Sequence, residues 1–361
     1  MREISYFGID PFLQYVCDKN GTDLHINVHT KPRIRLNSVL CEIENAEVLN
    51  AIDTENIVHQ LLDDAKSKYL EENGDVDFSF SRFGLGRFRV NVYKQRGTYS
   101  IAVRRLPFDI PPFSDLRLPD VIKSFAKKNK GLVLVTGPTG SGKSTTLASM
   151  IDMINKERKA HIITIEDPIE YLHQHKESLI DQREVGSDTK SFASALRATL
   201  REDPDVILVG EMRDPETISI ALTAAETGHL VFSTLHTIGA AKTVDRIIDS
   251  FPPNQQNQIK SQLATVLEGV VSQHLIPKMN GKGIVAASEV MVVNSAIRNL
   301  IREGKSFQIN SVIQTSANVG MQTMDTSLAQ LYTSGVIAQE EAVARAQDPK
   351  IFSQLSNTRW S

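Results

Sequence analysis

The sequence predicts an α/β protein in two parts, a small α+β sheet domain followed by a larger domain built on a parallel sheet with helices on both faces. Three observations carry that expectation. Up to about Leu106, short segments alternate apolar and polar residues as half-buried strands do. Beyond a proline-rich stretch the strand-like segments become apolar throughout and alternate with helical patterns. One of these apolar segments runs straight into a glycine-rich loop and then a helix.

In the first part, residues 24–28, 33–36 and 87–93 alternate in the period of a strand. Residues 53–70 place Ile57, Val58, Leu61, Leu62 and Ala65 on one helical face. Residues 1–106 are therefore expected to form the small α+β domain. Residues 107–113, PFDIPPF, hold three prolines, which lack the N–H that helix and sheet ladders need, so they are expected to be the interdomain linker. From residue 114 to 361 the grammar changes. Residues 132–135, 162–165, 206–209 and 230–235 are apolar on both faces, the mark of strands inside a parallel sheet. Beyond Pro253 the pattern reads as helical over residues 259–276 and 295–304, with two short helices near the end.

Composition excludes several classes. A chain of 361 residues, 41% hydrophobic and 23% charged, is long enough for two cores of moderate size. With 40 Lys plus Arg against 43 Asp plus Glu, the net charge of −3 offers no broad attraction to nucleic-acid phosphates or anionic lipid, and no nucleic-acid partner is expected. Cys17 and Cys41 form no C-x-x-C pair, so neither a disulfide framework nor a zinc site is indicated. No apolar run approaches the roughly 18 residues of a membrane helix, and the start of the chain is too polar for a signal peptide. The expected location is cytoplasmic, without membrane insertion.

The glycine-rich loop is Gly137-Pro138-Thr139-Gly140-Ser141-Gly142-Lys143-Ser144, which fits G-x-x-x-x-G-K-[ST]. Glycines let the backbone curl until its N–H groups converge on phosphates, and the following helix N-terminus adds partial positive charge. Lys143 is expected to reach the β and γ phosphates of ATP, the Ser144 hydroxyl to ligate Mg²⁺, and Thr145 to support the phosphates.

Hydrolysis also needs an oriented water and compensation of developing charge. Residues 205–211, DVILVGE, read as an apolar strand ending in Glu211, the candidate to polarise the water. Many P-loop enzymes end this strand in Asp, where Gly210 stands here, so any hold of Glu211 on Mg²⁺ is expected to run through water. Another strand delivers Glu166 and Asp167 to the same edge, again as water-mediated metal partners or as solvated strand-end acids. His229 and His236 stand at the two ends of residues 230–235, where a lone histidine is more often a satisfied core residue than a functional one. Arg197 and Arg201, four apart on one helical face, either line the nucleotide cleft or form surface pairs with Glu202 and Asp203.

The segments GPTGSGKSTT, ITIEDPIEY, LREDPDVILVGEMRD and TGHLVFSTLHT, in that order, resemble the Walker A, Asp box, Walker B and His box of the secretion ATPase superfamily, which includes the type IV pilus ATPases. SAIRNLIREGK at residues 295–305 resembles the signature of its pilus-retraction branch, and the resemblance runs from about Gly21 to Phe352. It implies a PAS-like N-terminal domain, a RecA-like P-loop NTPase domain with C-terminal helices, and a homohexameric Mg-ATP-hydrolysing motor. Such a motor powers twitching motility by disassembling the pilus at its base, against an inner-membrane platform protein on the inner face of the cytoplasmic membrane. The resemblance further implies that Arg89 and Arg104 reach the nucleotide, that Glu211 is catalytic, and that His229 is the principal His-box residue with His236 secondary. On the segment from Ala296 to Glu303, Ile297, Leu300 and Ile301 fall at helical spacing and can anchor one face, leaving Arg298, Arg302 and Lys305 able to face a partner or a neighbouring subunit; this is either an ordinary amphipathic helix or, as the resemblance implies, the element that couples the engine to its load. Leu36-Asn37-Ser38-Val39 departs from the Asp-Gly type of turn that relatives usually carry. An extension or secretion ATPase would be expected to bring a four-cysteine insertion, a translocase a basic aromatic channel, and a nucleotide-gated binder no need of Glu211 and Glu166.

Overall fold

The structure is a computed structural model that describes residues 8–36, 39–107 and 109–357. The 37–38 turn and Phe108 of the proline-rich stretch lie outside the described residues. The chain divides into two compact units, Met1–Asp109 with Pro168–Tyr171, and Ile110–Asp167 with Leu172–Ser361.

The first unit contains helix α1 (Asp10–Asp18), strands β1 (Asp23–Ile26), β2 (Arg33–Leu36) and β3 (Val39–Glu42), helices α2 (Ala51–Leu61) and α3 (Asp64–Asn73), and strands β4 (Asp75–Arg82), β5 (Gly86–Gln95) and β6 (Thr98–Arg105). The strands form one six-stranded sheet in the order β3-β2-β1-β6-β5-β4, antiparallel throughout. Its alternation does what a one-sided sheet requires. Phe88, Val90 and Val92 of β5 are fully buried with Leu24, Ile26 and Phe12, while Arg87 and Arg89 between them are not. The helical stretch expected over residues 53–70 is two helices. Asn50 starts α2 with a capping box, α2 stops at Leu62, and the Asp63 carboxylate accepts the Lys66 N–H at 2.8 Å to cap a new helix.

The second unit contains α4 (Val121–Ala126), β7 (Gly131–Thr136), α5 (Lys143–Glu157), β8 (His161–Glu166), β9 (Leu179–Glu184), α6 (Phe192–Thr199), β10 (Val206–Val209), α7 (Pro215–Glu226), β11 (Leu230–Leu235), α8 (Ala240–Asp249), α9 (Pro253–Val266), β12 (Leu267–Pro277), β13 (Ile284–Val292), α10 (Ser295–Glu303), α11 (Ile309–Thr315), α12 (Met324–Thr333), α13 (Gln339–Val343) and α14 (Pro349–Asn357). Its seven-stranded sheet runs β13-β12-β7-β11-β10-β8-β9. Every neighbour pair is parallel except β12 with β13. The apolar strands are apolar because both faces are covered. Along β7, Leu132 and Leu134 pack into a core shared with α7, α8 and α9, whereas Val133 and Val135 pack into one shared with α4 and α5. Of the proline-rich stretch, residues 110–113 are fixed on this unit: Ser149 Oγ donates to Pro111 O at 2.7 Å, and Phe113 is buried.

One expectation is corrected. The helix expected over residues 259–276 ends at Val266, and Leu267–Pro277 forms β12 beside β7. An apolar run buried on both faces satisfies a core helix and a central strand equally, and only its place next to β7 decides. Gly269 lets this strand pass against Phe125: a Cβ at Gly269 would lie 2.2 Å from the ring of Phe125, which is itself fully buried and cannot retreat. We expect Gly269→Ala to lower stability by about 1–3 kcal/mol through overpacking. Urea unfolding monitored by circular dichroism reads this directly, and an unchanged midpoint would show that α4 yields.

Candidate nucleotide-binding and catalytic site

Four parallel strands, β7, β8, β10 and β11, end on one edge of the sheet, and the loops that leave them there build the site. The glycine-rich loop leaves β7. Gly137 has φ +140°, and a Cβ there would lie 2.3 Å from Gln273 O and 2.6 Å from Ser141 Oγ, so the curl admits glycine alone. Gly142, at φ +86°, then turns the chain directly into α5, whose first turn has no side-chain cap. Its leading N–H groups therefore face the loop. Lys143 Nζ lies over the same loop, donating to Gly137 O at 2.9 Å and Pro138 O at 3.0 Å. Ser144 and Thr145 are half-buried on that turn, while Thr139 and Gly140 are exposed.

The loop fits a phosphate chain with its metal. Thr136 Oγ1 and Ser141 Oγ are buried without a hydrogen-bond partner among the described residues, a costly arrangement that a ligand relieves. The Ser144 hydroxyl is the side-chain oxygen on the first turn of α5 that would hold Mg²⁺. Beside Gly142 and Thr145 opens a cavity of about 200 Å³ with Leu118, Leu275 and Ala286 on its wall and Arg117 at its side. Sequence reasoning did not foresee that wall, nor the brace beneath the loop. Gln273, 1% exposed on β12, donates from Nε2 to Ser141 O at 2.6 Å and accepts from Thr146 Oγ1 at 3.0 Å. It thereby joins the loop to the start of α5.

Glu211 follows β10 through Gly210. The backbone at this strand end is held from both neighbours: Gly210 N donates to Ile165 O at 2.7 Å, and Thr234 Oγ1 donates to Gly210 O at 2.6 Å. The Glu211 carboxylate is 16% exposed, 2.7 Å from Arg213 Nε and 3.2 Å from His236 Nε2. Burial by itself would raise its pKa, but the hydrogen bond from Arg213 and the nearby His236 outweigh that and hold it below the ordinary value. On β8, Glu166 accepts from Thr164 Oγ1 at 2.7 Å and from Gln182 Nε2 at 3.2 Å. Exposed Asp167 lies close enough to raise Arg213 further, after the larger effect of Glu211.

The two histidines part company. His236 follows β11 and joins Glu211, whereas His229 precedes β11 and sits at the opposite edge, where its carbonyl accepts the N–H of Gly131 at the start of β7. A strand of six residues separates them, roughly 20 Å at the usual rise. His229 Nδ1 meets Ala224 O at 2.9 Å and Thr227 Oγ1 at 3.3 Å. Within one chain the place beside Glu211 is taken by His236, and His229, expected as the principal histidine, lies at the other end of β11.

The arginines are also redistributed. Arg197 pairs with Glu216 of α7, and Arg183 takes Glu202 at 3.0 Å, so the pairing with Glu202 and Asp203 is not the one formed. Arg201 is exposed beyond the end of α6, before β10 begins. In the first unit, Arg89 and Arg104 are direct cross-strand partners on β5 and β6. Like charges so placed repel, and each is compensated, Arg89 by Asp77 and Arg104 by Asp23, with Nε 2.9 Å from Oδ1. On α10, Ile297 and Ile301 are buried and Leu300 packs against them, as expected. Arg298 is not directed at a partner. It donates to Ala264 O at 2.7 Å, Thr265 O at 2.8 Å and Glu268 Oε1 at 2.7 Å, tying α10 to the end of α9, while Arg302 is exposed.

We expect Gln273→Leu to weaken nucleotide binding about tenfold, because two buried hydrogen bonds that shape the loop are lost. Titration with a fluorescent nucleotide measures it, and unchanged affinity would show that the loop holds itself.

Residues 9–286 match the family described as "Type II/IV secretion system protein". The chain is 51% identical over 322 residues to the "Twitching motility protein" of Neisseria gonorrhoeae, covering 89% of this chain and 86% of that one. It is 46% identical over 344 residues to the "Type IV pilus retractation ATPase PilT" of Pseudomonas aeruginosa, covering 95% and 99%. Among solved structures, that of the pilus retraction motor PilT with bound ADP superposes with a TM-score of 0.91 at 49% identity, covering 96% of this chain and 99% of that one. With a glycine-rich phosphate loop, a strand-end glutamate beside it and this likeness along its length, the chain belongs to the type II/IV secretion system protein family, among its pilus-retraction ATPases.

Proposed function

We propose that this chain is the subunit of a Mg-ATP-hydrolysing motor that powers type IV pilus retraction by disassembling the pilus at its base. The observation that carries the reading is the pairing of a loop shaped for phosphates with an ionised, half-buried Glu211 on the same sheet edge. A pure binding protein has no need of the second.

Binding ATP exchanges the contacts Lys143 makes with the neutral Gly137 O and Pro138 O for ones to anionic phosphate oxygens, where both donor and acceptor are charged. The N–H groups of the loop and the first turn of α5 take the remaining oxygens, and the cavity lined by Leu118, Leu275 and Ala286 takes the base. Bound Mg²⁺ supplies charge compensation at the phosphates, with Ser144 as its side-chain ligand. Glu211, kept ionised by Arg213 and His236, accepts a hydrogen bond from the attacking water and aims its lone pair at the terminal phosphorus. A carboxylate held below its ordinary pKa orients water well and stores a proton poorly, so the water's proton passes on to the phosphate product. Glu166 and Asp167, at the end of β8, support the water around the metal.

Arg89 and Arg104 reach a nucleotide in the working state, which requires them to leave Asp77 and Asp23. The proposed domains are residues 1–106 and 114–361. The 107–113 linker joins them as the hinge, and its residues Pro111 and Phe113 stay with the second unit. Force transfer requires a closed ring, and a homohexamer is the proposed assembly, acting on an inner-membrane platform protein from the cytoplasmic side with Arg302 facing outward.

Glu211→Gln is expected to keep Mg-ATP affinity and lose roughly a hundredfold or more in turnover. Cells carrying it should be heavily piliated and fail to twitch. Near-normal turnover would move the role to Glu166. In Mg-ATP the purified protein should run at the mass of six chains, and a strict monomer at micromolar concentration would count against the motor.

A further inference from the structure

We infer that Glu289 is a positioning residue for hydrolysis: together with Ser272 and Gln347 it clamps residues 236–240 so that His236 meets Glu211, and it ties that loop to the C-terminal helices. The inference rests on the reading of Glu211 and His236 as the hydrolytic pair.

Glu289 lies on β13 and is 1% exposed. Burying a carboxylate costs several kcal/mol unless its oxygens are taken up. One oxygen accepts the N–H of Ala240, the first residue of α8, at 2.6 Å, and the other accepts from Gln347 Nε2 at 3.1 Å. Helix α8 has no side-chain cap at Gly239, so its N-terminus is capped from a distant strand instead. Gly239 N donates to Ser272 Oγ at 2.9 Å. Ser272 and Glu289 are cross-strand partners on β12 and β13, so the two contacts act as one support.

The loop passes this support closely. Gly239 has φ +95°, and a Cβ there would lie 3.2 Å from Gln347 Nε2 and 3.6 Å from Glu289 Oε1. Ile238 is 38% exposed and lines a cavity of about 640 Å³ with Lys242, Asp325 and Gln347. Polar contacts hold the path of the chain between His236 and Ala240: those from Ser272 and Glu289, and the hydrogen bond between Thr237 Oγ1 and Thr243 Oγ1 at 2.7 Å. Gln347 is in turn placed by Asp325 of α12, which accepts the N–H groups of Gln347 at 2.7 Å and Asp348 at 3.0 Å. A continuous chain of hydrogen bonds thus runs from α12 through Gln347 and Glu289 to the loop that ends in His236. Burial raises the Glu289 pKa, and the donors from Ala240 and Met324 work against it.

A merely structural Glu289 would lower stability without regard to His236. The test is a double-mutant cycle on the full-length enzyme, reading kcat and KM for Mg-ATP. Glu289→Leu should lower kcat about tenfold with KM within about twofold, and Glu289→Gln, which keeps the acceptor for Ala240, should restore most of the rate. Combined with His236→Ala, Glu289→Leu should add no further loss, because both remove the same contact. Losses that multiply in the double variant, a KM that rises in step with the fall in kcat, or wild-type kcat in Glu289→Leu would each overturn the inference. Should Glu289→Leu fail to fold, Gln347→Ala, which deletes one donor at the loop between α13 and α14, enters the same cycle with the same expected outcome and decides it. Wild-type turnover in His236→Ala alone would remove the reading of the Glu211–His236 pair, and this inference with it.

Discussion

A parallel sheet delivers every strand end to one edge, and nearly everything in the second unit follows from that direction. Residues far apart in sequence, the loop after β7, Glu166 at the end of β8, Glu211 after β10 and His236 after β11, come to one edge only because their strands run the same way. The direction has a structural cost. Each connection must cross a face, so both faces are covered by helices and the strands must be apolar throughout. Adjacent residues of β7 accordingly belong to two different cores. A sheet pinned from both sides moves little, and groups at its edge are placed with the accuracy that catalysis needs.

The edge is electrostatically unfinished. Among the described residues, two buried hydroxyls, of Thr136 and Ser141, have no hydrogen-bond partner, and the first turn of α5 has no side-chain cap. Each unmet group costs about 1–3 kcal/mol, and the N–H groups at the start of α5 are the ones a phosphate chain can take up. Glu211 is poised the other way. Burial pushes its carboxyl toward neutrality, while Arg213 and His236 pull it back and keep it charged beside the place where anionic phosphate must sit. The Arg213 guanidinium also reduces the repulsion between that charge and the phosphates.

Much of this was legible in the sequence because it is local. The glycine loop, the apolar strands and Glu211 are contiguous signals, and the structure places them together. The histidines show what strand direction adds to a local signal. His229 and His236 flank one strand symmetrically, yet only the residue after a strand shares the edge of a loop that also follows its strand, which selects His236. Arg298 was beyond reach, because its acceptors on residues 264, 265 and 268 exist only once α9 gives way to β12. That change of element was itself hidden, since a run buried on both faces has no diagnostic period.

The strand that the pattern concealed is the one on which the rest of the site leans. Ser272 and Gln273 are consecutive on β12, so their side chains leave opposite faces of the sheet. Gln273 rises on the side of α5 and braces the phosphate loop through Ser141 O and Thr146 Oγ1. Ser272 points to the side of α8, where with Glu289 it holds Gly239 and Ala240. One dipeptide therefore supports the loop after β7 on one face and the loop after β11 on the other. Both residues are polar at fully buried positions of the strand, a choice that weakens the core and is repaid only in the geometry of the two loops. The added β12–β13 pair thus supplies from behind the sheet the support that its catalytic edge, open to nucleotide and water, cannot provide for itself.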